Sequence, residues 1–186
     1  MPLHDPLVSR RLLHRRYIEC SGFEREDGCF EVDGHLRDTK AHPVFNRWKG
    51  ETAPDTPVHD MWLRLTVDQN LTITAVEAAS DSHPFENCPS VVPNFQVLRG
   101  LRIAGGFQRT VKELLGNTQG CTHLVDLVGI VATAALQTIA GLRLARLEPG
   151  RIPERPVFIN SCHGWAADGP VVGALYPKFY TGRKTE

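Results

Sequence analysis

The run from Leu124 to Leu142, LVDLVGIVATAALQTIAGL, does most to narrow what this chain can fold into. Its apolar positions Leu127, Val128, Val131, Ala135, Ile139 and Leu142 recur at helical spacing, and its alanines permit close packing on a sheet. The spacing predicts a long central helix. The run is long enough to enter a bilayer, but Asp126, Thr133, Gln137 and Thr138 lie within it, so a buried helix is the expected reading.

A helix of that kind needs a sheet to cover. Tyr17–Phe23 and Cys29–Leu36 are mixed runs separated by EREDG, where Asp27-Gly28 supplies the positive φ of a tight turn, and they predict a first β-hairpin. In VHDMWLRLTVD and LTITAVEAAS, Met61, Leu63, Leu65 and Val67 alternate with Trp62, Arg64 and Thr66. Leu71, Ile73 and Ala75 alternate likewise, and Asp68-Gln69-Asn70 forms the turn of this second strand pair. The proline-rich stretches 41–57 and 80–93 are expected to be loops. A short helix from Gly105-Gly106 to Leu115 is expected to end with Gly116 in the left-handed region.

Residues 143–156 read as a linker and 157–186 as a C-terminal hairpin or arm, leaving 17–142 as the core of a single domain spanning 1–186. The order of elements indicates an α+β fold. An antiparallel sheet of two or more hairpins is expected to pack against the long central helix and a shorter one, with a C-terminal strand pair.

Composition removes some functions. Lysine plus arginine and aspartate plus glutamate number 21 each, so no overall field favours nucleic acid or an anionic membrane. The first twenty residues are charged throughout and hold no apolar signal segment, from which a cytoplasmic location is expected. Five scattered cysteines form no disulfide framework. No GxGxxG, Walker or GxSxG pattern is present, so a nucleotide cofactor is not expected.

Candidate chemistry sits at the ends of the expected elements. Cys121 and His123 stand at the first turn of the central helix, where free N–H groups favour a thiolate or an anionic ligand. A plain capped start, with Thr122 or Asn117 as the cap, accounts for the same residues. His59 and Asp60 are adjacent in a strand and so point to opposite faces, His59 with Met61 and Asp60 with Trp62. Asp38 and Lys40 lie two apart and make a candidate acid/base pair. The loop DSHPFENC offers Asp81, His83, Glu86 and Cys88. The candidate catalytic set is His59, His123, Lys40 and Asp38, with Asp81, Cys121 and Trp62 as substrate contacts. If a transition metal is bound, Cys88, Cys121 and His123 are the candidate ligands, although no paired spacing announces a site.

The segments DGHLRDTK, VHDMWLRLTVD, DSHPFENC, LRGLRIAGGF and GCTHLVDL together resemble, in order and across roughly residues 17–142, a bacterial family labelled domain of unknown function 2889. The resemblance implies a small soluble bacterial protein, and the label supplies no activity. Proteins of this type are expected among aromatic-catabolism functions. The implied chemistry is then a lyase step on a lignin-derived phenolic, releasing formaldehyde from a hydroxymethyl side chain. A looser similarity, a strand pair followed by a helix that opens on glycine-cysteine, is to iron–sulfur scaffold proteins, but their other cysteines are missing here.

Three functions are therefore expected in competition. The first is a small-molecule enzyme working by acid/base chemistry without a nucleotide cofactor. The second is a metal-binding or metallocentre-assembly module, and the third a non-catalytic small-ligand domain. A homodimer through the C-terminal arm is an expected assembly.

Overall fold

A computed structural model describes residues 4–145, 155–156 and 158–182. Six strands, β1 (His14–Glu24), β2 (Phe30–Lys40), β3 (Val44–Asn46), β4 (Gly50–Thr52), β5 (Pro57–Val67) and β6 (Ile73–Ser82), precede the helices α1 (Phe107–Leu115), α2 (Thr122–Ala145) and α3 (Pro170–Leu175). The main sheet has the order β1-β2-β5-β6, antiparallel throughout, and β3 pairs with β4 in a separate ribbon. The fold is α+β.

Both predicted hairpins form; the first runs longer than the sequence pattern marked, and in the second the last strand is displaced two residues downstream. Gly28 takes φ 81° in the first turn, where the Asp27 carboxylate accepts the Cys29 N–H at 3.1 Å. In the second, Asp68 Oδ1 accepts from the N–H groups of Asn70 and Thr72 at 2.8 Å each, closing the turn with one side chain.

The sheet buries one face through alternate residues, Val32 and Leu36 from β2, and Met61, Leu63 and Leu65 from β5. Expected inward-facing Ala75 is instead exposed, because Thr66 pairs with Ala75 while Val67 pairs with Ile73. Thr74 is the extra residue of a bulge, and it hands the inward position to Val76.

Against this face lies the first part of α2, with Leu124, Leu127, Val128 and Val131 buried. Each such side chain contributes about 1.5–3 kcal/mol by leaving water. The approach is close at Gly34, where a β-carbon would run into the side chains of Val131 and Leu127. Residues Thr122–Leu142 are long and apolar enough to cross a membrane by length and composition. Their buried stripe is also what the core helix of a globular unit requires.

Three expectations are corrected here. Residues 41–57 are not all loop, since β3 and β4 form within them. The stretch 80–93 contains the end of β6 and the start of a 3-10 helix, Cys88–Leu98, whose Phe95 and Leu98 are buried. Gly116 is extended (φ −73°, ψ 172°), and Asn117 takes the left-handed conformation at φ 54°. Glycine is needed at 116 because a β-carbon would collide with the Lys112 carbonyl.

Two compact units make up the chain, Met1–Ala135 and Leu136–Glu186, with the boundary inside α2. Most of the expected linker, residues 146–154, lies outside the described residues. In the second unit the expected C-terminal strand pair is absent among the described residues. There 3-10 turns at His163–Trp165 and Pro177–Phe179 flank α3, and Phe158, Ile159, Ala167, Val172 and Tyr176 form a small core. The aromatic side chains serve packing that does not depend on strand alternation: Phe158 and Trp165 have ring centroids 4.4 Å apart.

Candidate functional site

Asp38 is 2 % exposed, an unusual place for a carboxylate, and its surroundings explain how it is held there. Alternation along β2 turns Asp38 to the same face as Val32, Gly34 and Leu36, toward α2. On β1 its register partner is Arg16, which donates from Nε to Oδ1 and from a terminal nitrogen to Oδ2, both at 2.8 Å. This two-point grip is the strongest geometry available to a guanidinium and a carboxylate. Arg16 also reaches Asp126 of α2 at 3.7 Å, so one side chain ties strand to helix.

Three imidazoles complete the group. His59 Nδ1 lies 3.2 Å from Asp38 Oδ2, His123 Nε2 lies 3.5 Å from the same oxygen, and His14 Nε2 lies 3.5 Å from Oδ1. The rings of His59 and His123 face one another with centroids 3.8 Å apart and planes 30° apart. Cys121 Sγ sits 3.7 Å from His123 Nδ1 and 3.9 Å from Met61 Sδ. Cys121 precedes α2, and its carbonyl accepts the Val125 N–H at 2.8 Å, which opens the helix.

The electrostatics follow from burial beside one strong cation. Burial alone would raise the Asp38 carboxyl. The hydrogen bond and charge of Arg16, helped by His14 and His59, outweigh it and hold Asp38 below the usual carboxylate range. Burial and the nearby His123 push His59 down to about 4, against the opposing pull of Asp38. Burial and then the Arg16 charge lower His123 as well. At neutral pH the cluster is thus an arginine–carboxylate pair bearing two neutral imidazoles.

Neutral imidazoles beside an anion have their protons assigned by that anion. His59 donates Nδ1–H to Asp38, which leaves Nε2 with a free lone pair. His123 turns Nε2 toward Asp38 and keeps its Nδ1 lone pair for the thiol of Cys121. Both rings are oriented as bases.

The expected site residues divide accordingly. His59, His123, Asp38 and Cys121 come together. Lys40 is half-buried at the end of β2, paired in register with His14, and is not among the groups that touch Asp38. Trp62 lies on the opposite face of the sheet and stacks on His35 at 3.7 Å with planes 2° apart. Asp81 is exposed in β6, beside a register shift opposite Asp60 and Met61. Cys88 opens the 3-10 helix, half-buried and with a free thiol.

Asp38, His59 and His123 also form the grouping that could hold a metal ion among the described residues, their candidate atoms lying within 4.8 Å of one another. The expected ligand trio with Cys88 is not gathered there. The fit to a cation is poor: both Asp38 oxygens are already bound by Arg16, and a divalent ion would face that guanidinium at short range.

Sequence reasoning missed Arg16, His14 and a second histidine–carboxylate pair on the outer face, His35 Nε2 to Asp60 Oδ1 at 2.6 Å. The signal for Arg16 was present. Folding the first hairpin about Asp27 places residue 16 opposite residue 38, provided β1 is extended upstream of Tyr17.

No curated protein and no solved structure matches the chain. A family model described as "Protein of unknown function (DUF2889)" matches residues 14–137, which takes in β1, β2, β5, β6 and the start of α2, and with them every residue of the Asp38 cluster. By that match, which spans well over half of the sequence, the chain belongs to this family.

Proposed function

We propose that the Asp38 cluster is the acid/base centre of a small-molecule lyase that needs no nucleotide cofactor. The observation that carries this reading is the pair of facing imidazoles that share one buried carboxylate gripped at two points by Arg16. A base must be unprotonated at working pH and aimed by a fixed partner, and this arrangement supplies both conditions.

The substrate class proposed is a lignin-derived phenolic with a hydroxymethyl side chain. His59 Nε2 takes the hydroxyl proton, the bond to the hydroxymethyl carbon breaks, and formaldehyde leaves. The electron pair of that bond stays on the carbon it leaves and is delocalised into the ring, and the proton taken by His59 returns to that carbon, so that formaldehyde and the aromatic product together account for the substrate. Lys40, at the same strand end as His14 and Asp38, is the proposed cationic partner for the resulting negative charge.

The test is a panel of phenolic alcohols incubated with purified protein, with formaldehyde and aromatic product measured together. One-to-one release that falls about 100-fold or more in His59→Gln supports the reading. A panel left unchanged, or His59→Gln at full rate, overturns it.

A metal centre is the competing reading, favoured by the closeness of Asp38, His59 and His123 and opposed by the Arg16 grip. Elemental analysis of protein purified without chelator decides between them. A stoichiometric transition metal that is lost in His123→Gln would favour the second. Neutral imidazoles with no turnover and no metal would leave a ligand-binding domain.

A further inference from the structure

Cys121 has no part in the proton transfer just described, yet it occupies a defined place in the cluster. His123 stands between a thiol and a carboxylate, with Nδ1 3.7 Å from Cys121 Sγ and Nε2 3.5 Å from Asp38 Oδ2. Asp38 is in turn fixed by Arg16 at 2.8 Å. Cys–imidazole–carboxylate order is the arrangement that turns a thiol into a nucleophile, because the ring accepts the S–H proton while the carboxylate holds the ring in the right tautomer. The thiol also lies at the first residue before a 24-residue helix, where the N–H groups of the opening turn favour negative charge. The thiol is also within hydrogen-bonding reach of Met61 Sδ at 3.9 Å, a thioether and so a weaker acceptor than the imidazole.

We propose that Cys121 is a nucleophilic thiol that captures a small aldehyde at this site. It rests on the lyase reading for the choice of aldehyde, since formaldehyde is the fragment that reading releases beside His59. The step balances without an oxidant or a further reactant. The sulfur bonds to the carbonyl carbon, and the C=O π pair moves onto oxygen. The proton leaves Sγ for His123 Nδ1 and then passes to that oxygen, giving an S-hydroxymethyl adduct. Reversal frees the aldehyde.

The other cysteines serve as internal controls, because Cys20, Cys29, Cys88 and Cys162 are all free thiols and Cys162 is exposed. Intact protein is treated with iodoacetamide for timed intervals, and each site is quantified by peptide mass spectrometry. Half-buried Cys121 is expected to alkylate at least about tenfold faster than exposed Cys162, an order that accessibility alone would reverse. Prior incubation with dilute formaldehyde is expected to slow Cys121 and spare Cys162, with the rate recovered on dialysis. In His123→Gln the advantage of Cys121 is expected to vanish.

Alkylation of Cys121 no faster than Cys162 in the unaltered protein overturns the proposal, and that comparison requires no variant to fold. Fast alkylation that formaldehyde does not slow overturns it too. Neither readout depends on turnover, so a thiol that passes both while every phenolic stays intact would sink the lyase reading and leave the aldehyde-capturing thiol standing.

Discussion

His59 and His123 face one another with ring centroids 3.8 Å apart and planes tilted by 30°, although one comes from the beginning of a central strand and the other from the first turn of a helix more than sixty residues later. Both direct a nitrogen at one oxygen of Asp38. Two positive rings at that separation would repel, so the arrangement holds best when the rings are neutral.

The pH dependence of turnover should carry this signature. A free histidine would impose an acid limb near its ordinary 6.5, whereas His59 is pushed down to about 4. The rate at saturating substrate is expected to hold between pH 7 and pH 5.5 and to fall only below that. An acid limb centred at 6.5 would show that the base is another, solvated group.

Stability should follow the same groups. His59 takes up its proton at a lower pH in the folded chain than in the unfolded one, so below about 6.5 the unfolded state binds more protons and folding weakens. The contribution is full above pH 6.5 and is lost progressively down to about 4, amounting to on the order of 3 kcal/mol. Asp38, held below the usual carboxylate range, adds a loss of the same sign at still lower pH. Urea midpoints recorded from pH 7.5 to pH 4.5 check this, with His59→Gln expected to flatten the slope.

How much of this could be read from the sequence depended on which interactions are local. Strand alternation placed His59 with Met61 and Asp60 with Trp62, and the structure keeps both pairs apart on opposite faces. Helical spacing marked the α2 stripe that covers the sheet. The bulge at Thr74 was not legible, because one extra residue changes the face without changing composition. Nor was the link from Arg16 to Asp38, which depends on β1 continuing upstream through a segment of arginines and histidines that reads as solvated surface. The stretch 157–186 read as a C-terminal hairpin or arm, but Pro170 and Pro177 start helical turns within it instead.

Arg16 is the test of how Asp38 is positioned. Arg16→Lys keeps the charge but cannot bind both carboxylate oxygens in a plane, so turnover is expected to fall at least about tenfold while the fold persists. Arg16→Gln removes the main influence that lowers the Asp38 carboxyl, leaving burial to raise it. The acid limb of that variant is expected to move toward neutral pH. A lysine variant as active as the parent would show that a point charge suffices.

Gly34 tests the packing that brings helix to sheet. A valine there must displace the side chains of Val131 and Leu127, and a cost of about 1–3 kcal/mol is expected from overpacking. Urea denaturation measures it. An unchanged midpoint would mean that α2 does not press on β2 as described.

The central claim is that Asp38 serves two neutral imidazoles at once, and nitrogen-15 NMR of the histidine side chains measures this without any substrate. His59 is expected to stay neutral at pH 6 with its proton on Nδ1 and to titrate close to 4, and His123 is expected to titrate below the ordinary histidine value. Resonances showing His59 mostly protonated at pH 6 or carrying its proton on Nε2, or His123 titrating at or above the ordinary histidine value, would contradict it.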